Sequence, residues 1–317
     1  LRYNSRVLVT GDLNLDLIIK ELNFVPAPGQ EVFIPDIYFS VGGSAANTAV
    51  ALARLGTQVS LHGYRSDDFF SQYIREKLAG AGVDTSLLHP APDTKTGLSI
   101  AITSNKDRSF ISYQGSNAVY RPLLQPLELK PFTHLHISAL NWKENIAAYG
   151  QLLQAAREEG VSTSLDTGWF EFALVREEIF NLLTMVDVFF PNEAEALALT
   201  GATSWEGALG TLAGLVGVAV ITRGRQGVVV QNGQERLYLP AFTVQSVDAV
   251  GAGDAFAAGF LHSYLQGWEL KNCVLWASAC GALAATRWGG AEAAPTAAEV
   301  QAFLRGQGLK MDGYLSA

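Results

Sequence analysis

The sequence has only two cysteines and two methionines in 317 residues. Cys273 and Cys280 stand seven apart in an apolar stretch that reads as helix, so they share one face and behave as small hydrophobes; they supply neither a disulfide framework nor a thiolate metal site. No apolar run reaches the roughly 18 residues that a membrane span requires. The stretch Leu1 to Lys20 alternates like a strand, with Asp12 and Asp16 inside it, and lacks the layout of a signal peptide, so the expected location is cytoplasmic with no membrane partner. Positive charge is scarce too: 22 Lys and Arg stand against 30 Asp and Glu, a formal charge of −8 with no basic cluster. That argues against a nucleic-acid partner, because a phosphate backbone would be repelled. No internal repeat, low-complexity tract or interdomain linker interrupts the chain, and residues 1–317 are expected to form one domain.

An apolar fraction of 49% and abundant Gly and Ala fit helices packed closely on a sheet. Arg6 to Thr10 reads as a strand ended by Gly11, and Leu13 to Ile19 resumes it, with Asn14 and Asp16 projecting to one side. The Pro-rich stretch from Glu21 to Val41 reads as loop and exposed strand. Ser44 to Leu55 is a helix entered through Gly42 and Gly43 and left at Gly56. Beyond it, short β-type runs (QVSLHGY, THLHIS, VSTSLD, VDVFF, VAVITRG) alternate with helical stretches at Phe69 to Leu78, Ile146 to Glu159 and Ala194 to Leu199. This predicts an α/β fold: a doubly wound, mainly parallel sheet with helices on both faces. Thr96 to Tyr113 breaks the rhythm as an antiparallel hairpin turning at Asn105 to Asp107. Segments of about 20–41 and 95–118 are expected to build a small separate β-sheet, a lid at the edge of the core.

Three constellations carry chemistry. Asp248 to Phe260 (DAVGAGDAFAAGF) follows an expected strand at Phe242 to Val247 and opens an Ala-rich helix. There the backbone N–H groups of Gly251, Ala252 and Gly253 and the positive helix end form an anion hole. Asp254 sits at its mouth, kept ionised by the dipole and able to take a proton from an attacking hydroxyl. The plainer alternative is a helix N-cap after a flexible turn. This is no P-loop, since no Gly-Lys-Ser/Thr follows, and no dinucleotide fingerprint opens the first helix, which removes a dehydrogenase. The second constellation joins Asn14 and Asp16 to Gly42, Gly43 and Asn47, amides and a carboxylate suited to vicinal hydroxyls beside glycines that admit a ring. The third places Asn192 and Glu195 after VDVFF, and Thr222 and Gly224 after VAVI, at strand C-terminal ends where open α/β sheets hold ligands. Glu195 could hold a water of Mg²⁺; ordinary first-turn acidity of Glu193 and Glu195 is the alternative.

Taken in order, GDLNLD at 11–16, VGGSAANTA at 41–49, NEAE at 192–195, TRG with the following Gly227, and DAVGAGDAF at 248–256 resemble the ribokinase-like (phosphofructokinase B) carbohydrate kinases over nearly the whole chain. The resemblance implies ATP with Mg²⁺ as donor, a sugar as small-molecule acceptor, and a lid that often joins two subunits into a homodimer. By matching position it makes Asp254 the catalytic base, puts Asn14, Asp16, Gly42, Gly43 and Asn47 on the acceptor, and puts Asn192, Thr222, Gly224 and Gly227 on ATP, with Glu195 acting on Mg²⁺ through water. Many members bind a monovalent cation such as K⁺, and Asp248 with the carbonyls of Val250, Ala284, Arg287 and Gly289 stands where that site falls. Departures narrow the acceptor. SLDTGWF at 164–170 lacks the Asn and Arg that sugar-acid kinases carry after their Asp, and Leu140 stands where ribokinases place an acidic sugar contact. Phe110 and Tyr113 offer rings to a sugar face or a base. A nucleoside kinase of the same fold, or a sugar-sensing protein without chemistry, are the rival readings.

Overall fold

The computed structural model describes residues 5–19, 26–103, 108–140, 143–168 and 175–309. In chain order the strands are β1 Arg6–Thr10, β2 Asn14–Ile19, β3 Ile37–Gly42, β4 Gln58–Arg65, β5 Leu88–Pro90, β6 Leu98–Thr103 and β7 Arg108–Tyr113, then β8 His134–Ile137, β9 Ser162–Leu165, β10 Val188–Phe189, β11 Val218–Thr222, β12 Val228–Asn232 and β13 Glu235–Leu239. The α-helices are α1 Ser44–Arg54, α2 Phe69–Gly80, α3 Pro126–Leu129, α4 Ile146–Glu158, α5 Arg176–Leu183, α6 Glu193–Thr200, α7 Trp205–Ala213, α8 Ala252–Tyr264, α9 Leu270–Ala284 and α10 Ala297–Gly306.

Nine strands form the main sheet, in the order β13-β12-β11-β10-β9-β8-β1-β4-β5. From β11 to β5 neighbouring strands are parallel, and β12 and β13 close one edge antiparallel. Side chains alternate between faces along a strand. Val7 and Val9 therefore join α1, α8 and α9 in one core, while Leu8 joins α4, α5 and α7 in the other. This is the doubly wound arrangement, and it gathers the C-terminal ends of β1, β9, β10 and β11 along one rim. Among the described residues no helix is long and apolar enough to cross a membrane.

The smaller sheet has four strands in the order β3-β2-β6-β7. Here the structure corrects one expectation: β2 does not resume β1 but leaves for this second sheet. The cause is local. Gly11 makes the last bond to β4, its N–H donating to His62 O at 3.3 Å, and α1 packs so close that a Cβ at Gly11 would come within 2.9 Å of Ala45 Cβ. The 96–113 hairpin forms β6 and β7, antiparallel as expected; its turn at 105–107, and residues 20–25 of the other lid segment, lie outside the described residues. Phe242 to Val247 is not a strand. Its sheet edge is already taken by β13, and the segment instead crosses to the end of α9, where Val247 and Asp248 N–H both donate to Ala285 O at 2.8 and 3.2 Å.

Register decides which lid residues face the core. Asp16 pairs directly with Ser40 and Ser99, and Ala101 with Phe110. Paired residues share a face, so Asp16, Ile18, Ser40 and Phe110 line one side of the lid and Leu17, Ile37, Phe39, Ile111 and Tyr113 the other. Phe110 and Tyr113 thus stand on opposite faces, and only Phe110 shares a face with Asp16.

Candidate active site

α8 starts at Gly251, a left-handed residue (φ 74°), against which the next loop packs so closely that a Cβ would lie 2.9 Å from Gly290 Cα. Only glycine suits both conditions. Gly253, two residues on, faces open space, which leaves that side of the helix end accessible to an anion; Ala252 N–H makes a 3.3 Å turn bond to Ala249 O. Asp254 lies in the first turn, yet it caps nothing on its own helix. Its Oδ1 accepts a hydrogen bond from Ser44 Oγ at 2.5 Å and its Oδ2 one from Asn47 Nδ2 at 2.9 Å. The N-cap alternative is thereby excluded.

Both donors come from the first turns of α1, which packs beside α8. Gly43 (φ 91°) makes that entry possible, since a Cβ there would meet Asp12 O at 2.6 Å. Burial raises the Asp254 pKa to about 6, the Ser44 and Asn47 bonds pull it down, and the charge of Asp12 pushes it up. Desolvation thus places Asp254 above the usual carboxylate range. At pH 7 the ionised form still leads by roughly tenfold.

The lid supplies a second group of polar residues. Asn14 Nδ2 donates to Asp16 Oδ1 at 2.6 Å, and Gly42 gives Asp16 room, since a Cβ there would sit 2.3 Å from the Asp16 carboxyl. Burial raises the Asp16 pKa to about 7, with Asp12 the next cause, the Asn14 bond opposing it, and Glu292 and Asp248 adding to the rise. Asn14, Asp16 and Gly42 thus lie together, with Gly43 packed on Asp12. Asn47 is turned toward Asp254, and its Oδ1 is buried with no hydrogen-bond partner.

Along the rim, Asn192 and Glu195 form a capping box on α6: Asn192 Oδ1 accepts from Glu195 N at 2.9 Å and Glu195 Oε2 from Asn192 N at 2.8 Å. Thr167 Oγ1 also donates to Glu195 Oε2 at 3.2 Å. The capping alternative therefore holds for one oxygen of Glu195. Burial raises the Glu195 pKa. Asp166, at the end of β9, is raised well above the usual carboxylate range, first by burial and then by the charges of Glu195 and Asp254. Among the described residues no group of three or more His, Cys, Asp or Glu is placed to hold a metal ion by itself, so a divalent cation here would depend on water and on substrate phosphates as well as on these carboxylates. Thr222 pairs with Asn192 across a parallel bridge, and Gly224 (φ 52°) faces open space. Gly227 has a local reason to be glycine, with φ 97° and a Cβ position only 2.1 Å from Leu239 O.

Asp248 gathers the loop after α9: its Oδ1 accepts from Val250 N at 2.8 Å and its Oδ2 from Gly289 N at 3.1 Å. Ala284 O is engaged by Arg287 N–H at 3.1 Å, which leaves one lone pair. Asp248 is buried, and through its bonds to Val250 and Gly289 it joins the segment before α8 to the loop after α9.

Sequence reasoning missed Asp12, Ser44 and Asp166 as site residues. Asp12 was visible within GDLNLD, and Asp166 at a strand end. Ser44 offered no signal, because its partner lies 210 positions away. Leu140, 1% exposed, is packed in the second core. Trp169 and Phe170, in the SLDTGWF segment, lie outside the described residues.

The chain is similar in sequence and in fold to known proteins. The ATP-dependent ribose-1-phosphate kinase of Halopiger xanaduensis is 31% identical over 307 residues, 94% of this chain and 98% of that protein. A fructokinase double mutant from Vibrio cholerae O395, solved with fructose, ADP and potassium ion, superposes with a TM-score of 0.79 at 27% identity, covering 95% of this chain and 98% of that one. The ribokinase of Arabidopsis thaliana, solved with ribose and ATP, shares the fold with a TM-score of 0.82 at 22% identity, covering 95% and 98%. Residues 4–297 match the pfkB family carbohydrate kinases, and the chain belongs to that family, as an ATP-dependent phosphotransferase whose acceptor is a hydroxyl of a sugar.

Proposed function

We propose that Asp254 is the base that deprotonates the acceptor hydroxyl, and that the acceptor is an uncharged sugar held between Asp254 and the lid. The observation that carries this is the carboxylate of Asp254, fixed at both oxygens by Ser44 and Asn47 in the first turn of α8. Each oxygen keeps a lone pair for the incoming hydroxyl. Gly251 and Gly253 present amides to the transferring phosphoryl group, whose loose transition state needs charge stabilisation and alignment more than covalent chemistry. Asn14 and Asp16 take the remaining hydroxyls from above, and the lid excludes water, which would otherwise compete as nucleophile. The charged groups acting on Asp16 and Asp254 are all carboxylates, and that favours a neutral polyol over a phosphate- or carboxylate-bearing acceptor.

Glu195, through water, and Asp166 are the residues suited to Mg²⁺, with Asn192, Thr222, Gly224 and Gly227 along the nucleotide. Mg²⁺ there would neutralise charge between the β- and γ-phosphates. Asp248 with the carbonyls of Val250, Ala284, Arg287 and Gly289 would seat K⁺ and stiffen the loop that packs on Gly251. The lid's outer face favours a homodimer: Ile37, Phe39, Ile111 and Tyr113 are 44%, 45%, 58% and 55% exposed on one side, more contiguous apolar surface than a lone chain usually leaves in water. A nucleoside acceptor is the second reading, supported by Phe110, which is 54% exposed on the face of Asp16 and available to stack a base.

The test is ADP release with Mg-ATP and K⁺ over free pentoses, hexoses, ketoses, nucleosides, sugar acids and ribose 1-phosphate. Turnover of a free sugar or nucleoside is expected. Turnover confined to the acids or the phosphate would contradict the neutral-acceptor reading.

A further inference from the structure

Glu292 lies three residues beyond Gly289, in the loop between α9 and α10, outside the motifs that mark the site. Its Oε2 accepts the Ser40 hydroxyl and its Oε1 accepts Val41 N–H at 3.2 Å. Both donors belong to β3, and Ser40 is the direct partner of Asp16 across the β2–β3 ladder. The backbone of Glu292 is fixed separately, its carbonyl accepting from Arg54 Nη1 at the end of α1 at 3.1 Å. The same loop meets the lid a second time, for a Cβ at Gly289 would approach Ser40 Oγ to 2.8 Å. Gly289 in turn donates to Asp248, which holds Val250 one residue before the start of α8 at Gly251. A continuous line of contacts therefore runs from Asp16 through β3, Glu292 and Gly289 to the phosphate end of the site.

We propose that Glu292 is a positioning residue that ties lid strand β3 to the 287–292 loop, holding the acceptor's seat on Asp16 in register with the amides at Gly251 to Gly253. An ionised acceptor with two donors is among the stronger hydrogen-bonded arrangements, and here both donors sit at the root of the lid, where a small displacement is carried outward along the strand. The kinetic consequence rests on the kinase reading; the tie itself does not.

The experiment has two arms on the full chain. Hydrogen exchange is followed without ligand for the parent, Glu292→Ala and Glu292→Gln. Loss of the tie should speed exchange in β3, in β2 and at residues 287–290, with β8 and β9 unchanged, and Gln, which keeps an oxygen for Val41 N–H and an amide for Ser40, should restore most of the protection. Acceleration confined to Ser40 and Val41, or spread evenly over the chain, would overturn the proposal. In the second arm, with whichever of D-ribose, D-fructose or adenosine is turned over, Glu292→Ala should raise the acceptor KM at least about fivefold while the ATP KM stays within about twofold, the loss expected of one charged hydrogen bond. Equal rises in both constants would overturn a positioning role. Should the parent turn over none of the three, the kinase reading is what fails, and the exchange arm still decides the tie.

Discussion

Asp254 accepts from Ser44 and Asn47 while burial lifts its pKa to about 6. The base works when ionised, and a pKa raised from 3.8 means that form is lost as pH falls through about 6. With acceptor well below its KM, kcat/KM should therefore drop about tenfold per unit below that point. Ser44→Ala removes a bond that lowers the pKa, so the acid limb should move up by about half a unit or more; a pH profile with an unmoved limb would show that Ser44 does not tune the base. This pair was invisible in the sequence for a physical reason: a hydroxyl at a helix start is ordinary capping chemistry, and nothing local says that it reaches across to another helix. Asp254 itself was legible through the order of the signature segments, since glycines and an acid at a helix entrance taken alone read equally as an N-cap.

The β2–β3 ladder shows what an element contributes. Gly42 has an ordinary backbone but faces the Asp16 carboxyl, 2.3 Å from where its Cβ would lie. Gly42→Ala should leave the fold intact and displace Asp16, raising the acceptor KM at least about tenfold, the loss of one good hydrogen-bonded contact, with little change in the ATP KM; steady-state kinetics with both substrates varied will show it, and an unchanged acceptor KM would mean that Asp16 does not hold the acceptor. The helices and parallel strands were legible from period and punctuation. Two elements were not. β2 reads as a continuation of β1 because alternation records that a segment is extended and is silent on which sheet it joins, and Phe242 to Val247 reads as a strand although the sheet edge it would need is occupied by β13.

On the scale of the whole molecule, Ser44 and Asp254, 210 positions apart in two signature segments, meet because the doubly wound sheet lines up its strand ends and α1 packs against α8. Order along the chain conveyed the family, and the family conveyed that convergence; the sequence by itself left unstated that Asn47 faces the base and that Phe110 and Tyr113 part to opposite sides of the lid. The outer lid face has a consequence for assembly. Sedimentation velocity should find a dimer for the parent chain, and Ile111→Glu, which puts a charge in the middle of that apolar face, should shift it to monomer with near-native circular dichroism. A parent that sediments as a monomer would remove the lid-joined dimer.

The most direct test of the central claim is turnover by Asp254→Asn, with ATP affinity measured in parallel by titration calorimetry. The account predicts folded protein and unaltered ATP binding, with kcat reduced at least about a hundredfold, the low end for a general base. Near-normal kcat in that variant would contradict Asp254 as the base.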